Sequence, residues 1–278
     1  MKIAFILALL FTSINLFSQH STMRFSDSPI NLNHQSLLLV PFKSQMYLSD
    51  INKDLAEYNQ LNTDEIIERF TAALDQSIYY TFKERSDVSS FYALEDESSK
   101  MDLKYIFSSL RLEYELVDNT ENQSKLKAFS KKLKKKEDSK YQRGSINEGH
   151  IVTKRDNRER YMKAIVEDKK MLDSMHIKFN NKFFLFVNQL DIKNKISETS
   201  AMEQMKYERE IKLHYTLYHV NGEILSTGIS VTNFPATLND INLIIKNYFP
   251  ILAGNIYTDL FEIESDESGQ KPKSNSWK

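Results

Sequence analysis

The run Phe183–Leu190, FFLFVNQL, constrains the fold of this chain more than any other feature. It is too short for a buried helix to be favoured, and its apolar residues leave neither face for water, which predicts a strand covered on both sides. The run Ser36–Phe42, SLLLVPF, has the same character. Strands of this kind need a layer on each face, so we expect an α/β fold: a single mixed β-sheet with flanking helices, a long C-terminal β-hairpin and a closing helix.

Periodic apolar stretches supply the helices. The predicted helices cover residues 62–84, 99–110, 156–172 and about 239–263. Asn62 and Glu65 have the spacing of a capping box, and the apolar positions that follow recur every three to four residues along one stripe. In the closing helix, Pro250 must either kink the helix or start a second one.

The hairpin around Asn221 and Gly222 follows a strand in which apolar and polar residues alternate. A two-residue turn would pair Leu217 with Ser226 and mix apolar with polar side chains on one face. A three-residue loop, with Gly222 at positive φ, pairs Leu217 with Leu225 instead. Because a slip of one residue sends every side chain to the other face, we predict the three-residue loop and the Leu217–Leu225 pair. Upstream, Leu112–Val117 also alternates and predicts a half-buried strand.

The N-terminus has the pattern of a secretory signal peptide, with Lys2 followed by an apolar run and then small and polar residues to Gln19. We therefore expect a signal peptide over residues 1–19 and a single α/β domain over 20–263. A mobile basic insertion is expected at about 118–155, and a disordered tail over 264–278. With no cysteine, the exported protein has no disulfides and must be held by its core.

The inserted segment carries the strongest local charge. Lys125–Arg143 contains nine basic and two acidic residues, although the formal net charge of the chain is −1. One interpretation is a solvated loop. The other is attachment to an anionic lipid or glycan surface. The lysines expected to make that contact are Lys131, Lys132, Lys134, Lys135 and Lys136.

Polar residues where the two apolar strands end are the best candidates for a ligand site, because ligands bind beyond the carboxyl ends of parallel strands. The candidates are Lys43, Tyr47, Asp50, Asn188, Gln189 and Asp191. The alternative is that they only make capping hydrogen bonds within loops. The six histidines lack metal-binding spacing, and no nucleophile or phosphate-loop motif occurs, so we expect no catalytic residues, metal or cofactor.

The order of these elements, with Leu37–Phe42 as the opening strand and Tyr215–Ser226, YTLYHVNGEILS, as the hairpin, resembles a group of envelope α/β domains. The group comprises the curli secretion lipoprotein, the lipoprotein activators of penicillin-binding proteins and the N-terminal domain of the Tol-system propeller protein. The resemblance implies an interaction module or an oligomerisation unit. It transfers no functional residue, because the matching positions belong to the core and the turn.

Together these features predict an exported protein, periplasmic or at the cell surface, that acts as a non-catalytic interaction or accessory module of a cell-envelope assembly. Its expected partners are other envelope proteins, not nucleic acid, and no transmembrane helix is expected in the mature chain. Two alternatives remain at this point. One is an envelope hydrolase, and the other is a binding protein for a small anionic ligand, each with its site at the strand ends.

Overall fold

A computed structural model describes residues 21–24, 30–91, 96–117, 145–147, 150–152, 159–195 and 208–261. Its centre is a seven-stranded sheet in the order β1-β11-β10-β9-β2-β4, with β3 paired to β9. The strands are β1 (Ser21–Arg24), β2 (Ser36–Val40), β3 (Tyr47–Ser49), β4 (Asp87–Ser90), β9 (Phe183–Lys195), β10 (Glu208–His219) and β11 (Ile224–Pro235). β5 to β8, described below, lie outside this sheet.

The central sheet is mixed, as predicted. β2 runs parallel to β4 and β9, and β3 also runs parallel to β9. The strands from β9 through β10 and β11 to β1 are antiparallel. The buried positions predicted for β2 and β9 are confirmed, since Leu39, Phe184 and Phe186 are at most 1% exposed.

Helices cover one face of this sheet. They are α1 (Asn52–Asn59), α2 (Thr63–Phe82) and α5 (Ile241–Leu260). The capping box that starts α2 is confirmed, because Asn62 Oδ1 accepts from Glu65 N and Glu65 Oε2 accepts from Asn62 N. The closing helix continues through Pro250 as one element, so the alternative of a second helix is wrong. This layer and the sheet enclose the largest apolar cluster.

The other face is covered by a small sheet and two helices. The elements are α3 (Glu97–Ser108), β5 (Leu110–Leu116), β8 (Arg160–Val166) and α4 (Lys169–Phe179). β5 and β8 pair antiparallel. Phe184, Phe186 and Leu172 belong to the apolar cluster between these elements and the central sheet. α3 is capped by Asp96, ahead of the predicted Ser99, and Leu110 begins β5 instead of ending the helix.

The helix predicted over residues 156–172 is wrong. Residues 160–166 form strand β8, and α4 begins after Asp168, whose side chain accepts from Lys170 N. The apolar spacing of Tyr161, Met162 and Ile165 suits a helix. This helical preference is outweighed by tertiary contacts, because every residue of β8 pairs with β5 on one edge. Side chains of β10 bind the backbone of β8 on the other edge.

The hairpin prediction is correct at the loop and wrong beyond it. His219 N donates to Glu223 O (2.9 Å), which closes a three-residue loop, and Gly222 has φ +86° as predicted. A register shift next to Tyr218 then pairs Leu217 with Ser226, so the predicted Leu217–Leu225 pair is wrong. On the polar face of β11, Ser230 Oγ donates to Leu252 O (3.0 Å) of α5, whereas Ser226 Oγ is buried without a hydrogen-bond partner among the described residues.

The chain leaves and re-enters the small sheet at one point. Val117 N donates to Glu159 O (2.9 Å), so the residues between them form an insertion in a β-hairpin. Within it, β6 (Ser145–Asn147) and β7 (His150–Val152) pair with each other. The rest of the predicted basic insertion, the predicted signal peptide and the predicted tail lie outside the described residues. No helix in the described part of the chain is long and apolar enough to cross a membrane.

Candidate functional site

The residues predicted to form a site at the strand ends do not form one group. Tyr47 packs in the helix-covered core with its ring centroid 5.9 Å from that of Phe70, and burial raises its pKa to about 12 against the effect of a hydrogen bond to Ser49. Asp50 Oδ2 accepts from Asn194 N (3.3 Å). The three candidates in β9, Asn188, Gln189 and Asp191, face the small sheet.

β9 does not end near Leu190, so the expected strand end is wrong. It continues to Lys195 because β10 pairs with it along its whole length. The register of the β9–β10 ladder shifts at Asn188. This residue lies between Val187 and Gln189 and has no partner on β10. Asn188, Gln189 and Asp191 are all at most 4% exposed and lie within the sheet.

A row of polar side chains on β10 binds the backbone of β8. The bonds run from Met162 N to His214 Nδ1 (3.0 Å), from Ala164 N to Thr216 Oγ1 (3.1 Å) and from Val166 N to the Tyr218 hydroxyl (3.3 Å). Both sets of residues recur at every second position, the period at which strand side chains face one side. The row therefore acts as a substitute strand along one edge of β8.

The carbonyl groups on this edge of β8 are also bound. The Tyr218 hydroxyl donates to Ala164 O (3.0 Å), and Asn188 Nδ2 donates to Met162 O (2.9 Å) and to Thr216 Oγ1 (2.8 Å). Buried backbone groups without partners would destabilise the fold, so these side chains have a structural task. Asn188, predicted as a ligand-binding residue, holds the small sheet onto the central one.

A charged cluster lies next to this row. The Tyr114 hydroxyl donates to Gln189 Oε1 (2.8 Å), and Gln189 Nε2 donates to Asp191 Oδ1. His214 Nε2 and Lys193 Nζ lie 3.7 Å and 3.2 Å from Asp191 Oδ2. Burial by itself would raise the pKa of Asp191, but the imidazole, the Gln189 amide and the Lys193 charge outweigh it and lower that pKa below its ordinary value. Asp191 is thus held as a carboxylate.

Lys43 and Asn188 meet at a small, open cleft beside the edge of β5 that faces away from β8. Its walls are Val40, Pro41, Lys43, Phe107, Leu110, Leu112, Phe186, Val187 and Asn188. Lys43 Nζ donates to Phe107 O (2.6 Å), one of the last carbonyls of α3, and burial lowers its pKa. Asn188 Oδ1 is buried and has no hydrogen-bond partner among the described residues. The cleft therefore offers a cation, an acceptor and apolar walls.

The sequence did not single out His214, Thr216 and Tyr218 as site residues. The available signal was their alternation with Leu213, Tyr215 and Leu217, which placed them together on one face of a strand. Lys131, Lys132, Lys134, Lys135 and Lys136 lie outside the described residues. In the described ranges, no group of three or more histidine, aspartate or glutamate side chains is placed to hold a metal ion.

No known family of sequences matches this chain, and no curated protein does. Solved structures similar to it include two of the PelC dodecamer from Paraburkholderia phytofirmans. One, in space group P6, shares 6% identity over 87% of this chain and 99% of that chain, with a TM-score of 0.31. The other, a PelC variant in space group C2, shares 5% identity over 85% and 95%, with a TM-score of 0.33. Likeness at this level carries no argument about function.

Proposed function

We propose that this protein is an exported, non-catalytic interaction or accessory module of a cell-envelope assembly. The observation that most supports this proposal is the use made of its buried polar residues. Asn188, His214, Thr216 and Tyr218 bind the backbone of β8, so they stabilise a small sheet mounted on a larger one. The signal-like residues 1–19 support the exported location.

Crosslinking in intact cells tests this role. A photoreactive residue at Glu113, which is 41% exposed on the small sheet, should give a discrete adduct with an envelope protein. The same group at Lys53, 84% exposed on the helix layer, is the matched control for collision with abundant neighbours. Adducts that are equal at both positions, or absent from both, would contradict the proposal. N-terminal sequencing of the cellular protein should find a start near Gln19 or His20, and a start at Met1 would contradict export.

The basic segment suggests a contact with an anionic lipid or glycan surface as part of this role. Lys125–Arg143 carries nine basic and two acidic residues, and such a contact weakens as salt shortens the screening length from about 10 Å at 0.1 M to about 3 Å at 1 M. Binding to anionic vesicles and to an acidic glycan should fall with salt. It should also fall when Lys131, Lys132, Lys134, Lys135 and Lys136 are changed to Gln. Equal binding by both proteins would leave a solvated loop.

A further inference from the structure

The two edges of the small sheet differ. In an antiparallel pair, residues alternate between those whose N–H and C=O groups face the partner strand and those whose groups face away. Met162, Ala164 and Val166 bind the side chains of β9 and β10, so their backbone groups face away from β5. Their partners across the ladder are Tyr114, Leu112 and Leu110. The backbone groups of these three residues therefore face the outer edge of β5.

This outer edge has no strand or side-chain ladder along it in the described part of the chain. β8 is the only strand that pairs with β5 there, and the substitute ladder of β10 serves β8 alone. β5 is 7 residues long, and Leu112 and Tyr114 are only partly covered. An edge of this kind is a template for another extended chain.

The cleft beside this edge defines the side chain that such a chain would bring. Leu110 and Leu112 of β5 line the cleft, together with Lys43 and Asn188. Lys43 can donate further hydrogen bonds, and Asn188 Oδ1 needs a donor. An apolar side chain would leave Asn188 Oδ1 without a donor, and a carboxylate would place a second acceptor against that oxygen. A side-chain amide has both a donor and an acceptor and suits the two groups.

We propose that the outer edge of β5 binds an extended segment of a partner protein by strand addition, with an Asn or Gln side chain of that segment in the cleft. This inference rests on the proposed function, since it specifies the surface through which the module contacts its partner. Main-chain hydrogen bonds to Leu110, Leu112 and Tyr114 pair the segment with β5, and the cleft selects segments that carry an Asn or Gln side chain at the matching position.

Synthetic strands test the proposal on the full chain. Acetylated peptides as long as β5, Thr-Val-Thr-X-Thr-Val-Thr with X as Gln, Leu or Glu, are titrated into labelled protein while its backbone amide signals are recorded. The Gln peptide should shift the amides of Leu110, Leu112 and Tyr114 and bind at least about tenfold more tightly than the Leu and Glu peptides. The Gln peptide methylated on its backbone nitrogens should not bind, and this control leaves the protein unchanged.

Two variants at Leu112, a residue that also lines the cleft, isolate the contribution of its N–H group. Leu112→Pro removes an N–H group that β8 does not use, so β5 should remain paired and binding of the Gln peptide should be lost. Leu112→Val shortens the same side chain but keeps the N–H group, so it is the matched control and should keep binding within about threefold. Native-like amide spectra confirm that each variant is folded.

Three results would overturn the proposal. The first is equal binding of the methylated and unmethylated peptides, and the second is no preference for Gln. The third is protection of the Leu112 amide from hydrogen exchange in the free protein that rises with protein concentration, because a second copy would then occupy the edge. If the Glu113 crosslink forms in cells with Leu112→Pro as it does with the unaltered chain, the module role stands and strand addition at β5 is excluded.

Discussion

The two faces of the central sheet are covered by different physical means. On the helix-covered face, α2 and α5 pack on apolar side chains of the sheet such as Leu185, Leu213 and Tyr215. On the opposite face, the apolar cluster around Phe186 continues into a row of polar side chains that bind the backbone of β8. A helix satisfies its own backbone groups, whereas a strand presents two edges that need partners. Here the polar side chains of the central sheet supply partners for the backbone groups along one edge of β8.

The same difference appears in two buried carboxyl groups. Asp75 lies between α2 and β4, where its Oδ2 accepts from the Ser90 hydroxyl and its Oδ1 has no partner among the described residues. Burial raises its pKa to about 7, although the bond to Ser90 opposes this. Asp191, under the small sheet, has its pKa lowered despite burial. The layer that needs polar partners keeps its carboxylate charged, and the helical layer disfavours the charge.

The largest expected effect tests whether the apolar cores on the two faces of the central sheet contribute equally to the free energy of unfolding. Phe186 on the small-sheet face and Phe70 on the helix face are at most 1% exposed. Each change to Ala should reduce the free energy of unfolding by about 3–5 kcal/mol, because a cavity replaces a packed ring. Urea unfolding measures both variants. If Phe186→Ala costs under about 1 kcal/mol while Phe70→Ala costs the full amount, the small sheet is only loosely attached.

The pH dependence of stability tests the difference between the two buried carboxyl groups. Between 3.8 and about 7 the folded Asp75 keeps a proton that the unfolded chain has lost, so stability falls as pH rises through this window. Asp75→Asn keeps an acceptor for Ser90 and removes the charge. It should stabilise the protein by about 2–4 kcal/mol at pH 8 and much less near pH 4.

Asp191→Asn is the matched control for this pH experiment. A lowered pKa contributes stability above the unfolded pKa that is lost as pH falls through the folded pKa. Asp191→Asn should therefore destabilise the protein at pH 7, and the difference from the unaltered chain should shrink in acid. Unfolding curves with the same pH dependence for both variants would show that the two carboxyl environments do not differ.

A smaller effect isolates the substitute ladder. Thr216→Val keeps the shape of the side chain but leaves Ala164 N without its acceptor and deprives the Asn188 amide of one partner. We expect a loss of about 1–3 kcal/mol. On the helix face, Thr71 is also buried but donates only to Ile67 O of its own helix, so Thr71→Val should change stability by no more than about 0.5 kcal/mol. Similar losses of stability for Thr216→Val and Thr71→Val in thermal unfolding would argue against a special role for the polar row of β10.

The smallest effect is expected from the insertion. The hydrogen bond from Val117 N to Glu159 O closes the base of the hairpin, so the two ends of the segment are already held together. Deleting residues 122–143 should change the free energy of unfolding by less than about 1 kcal/mol, since loop-closure entropy varies slowly with length. A larger loss on calorimetry would show that this segment contributes to the small-sheet layer.

The candidate site was predictable only in part. Lys43 and Asn188 were identified from their place after apolar strands, and the structure brings both to one cleft. Tyr47 was grouped with them, although the sheet separates it from the small-sheet face. The error came from assuming that β9 ends near Leu190, because its continuation to Lys195 depends on pairing with a distant strand. The residues around β9 do not show how far β10, the strand that pairs with it, extends.

The sequence by itself determined the buried strands β2 and β9, the capping box of α2 and the left-handed Gly222, because each depends on side-chain polarity or backbone freedom within a few residues. Only the tertiary structure decided that residues 160–166 form a strand and that Leu217 pairs with Ser226. Both outcomes depend on contacts between elements distant in sequence. The polar row of β10 offers hydrogen bonds to β8, and α5 offers a carbonyl to Ser230, so segments with helical or mismatched patterns are stabilised as strands.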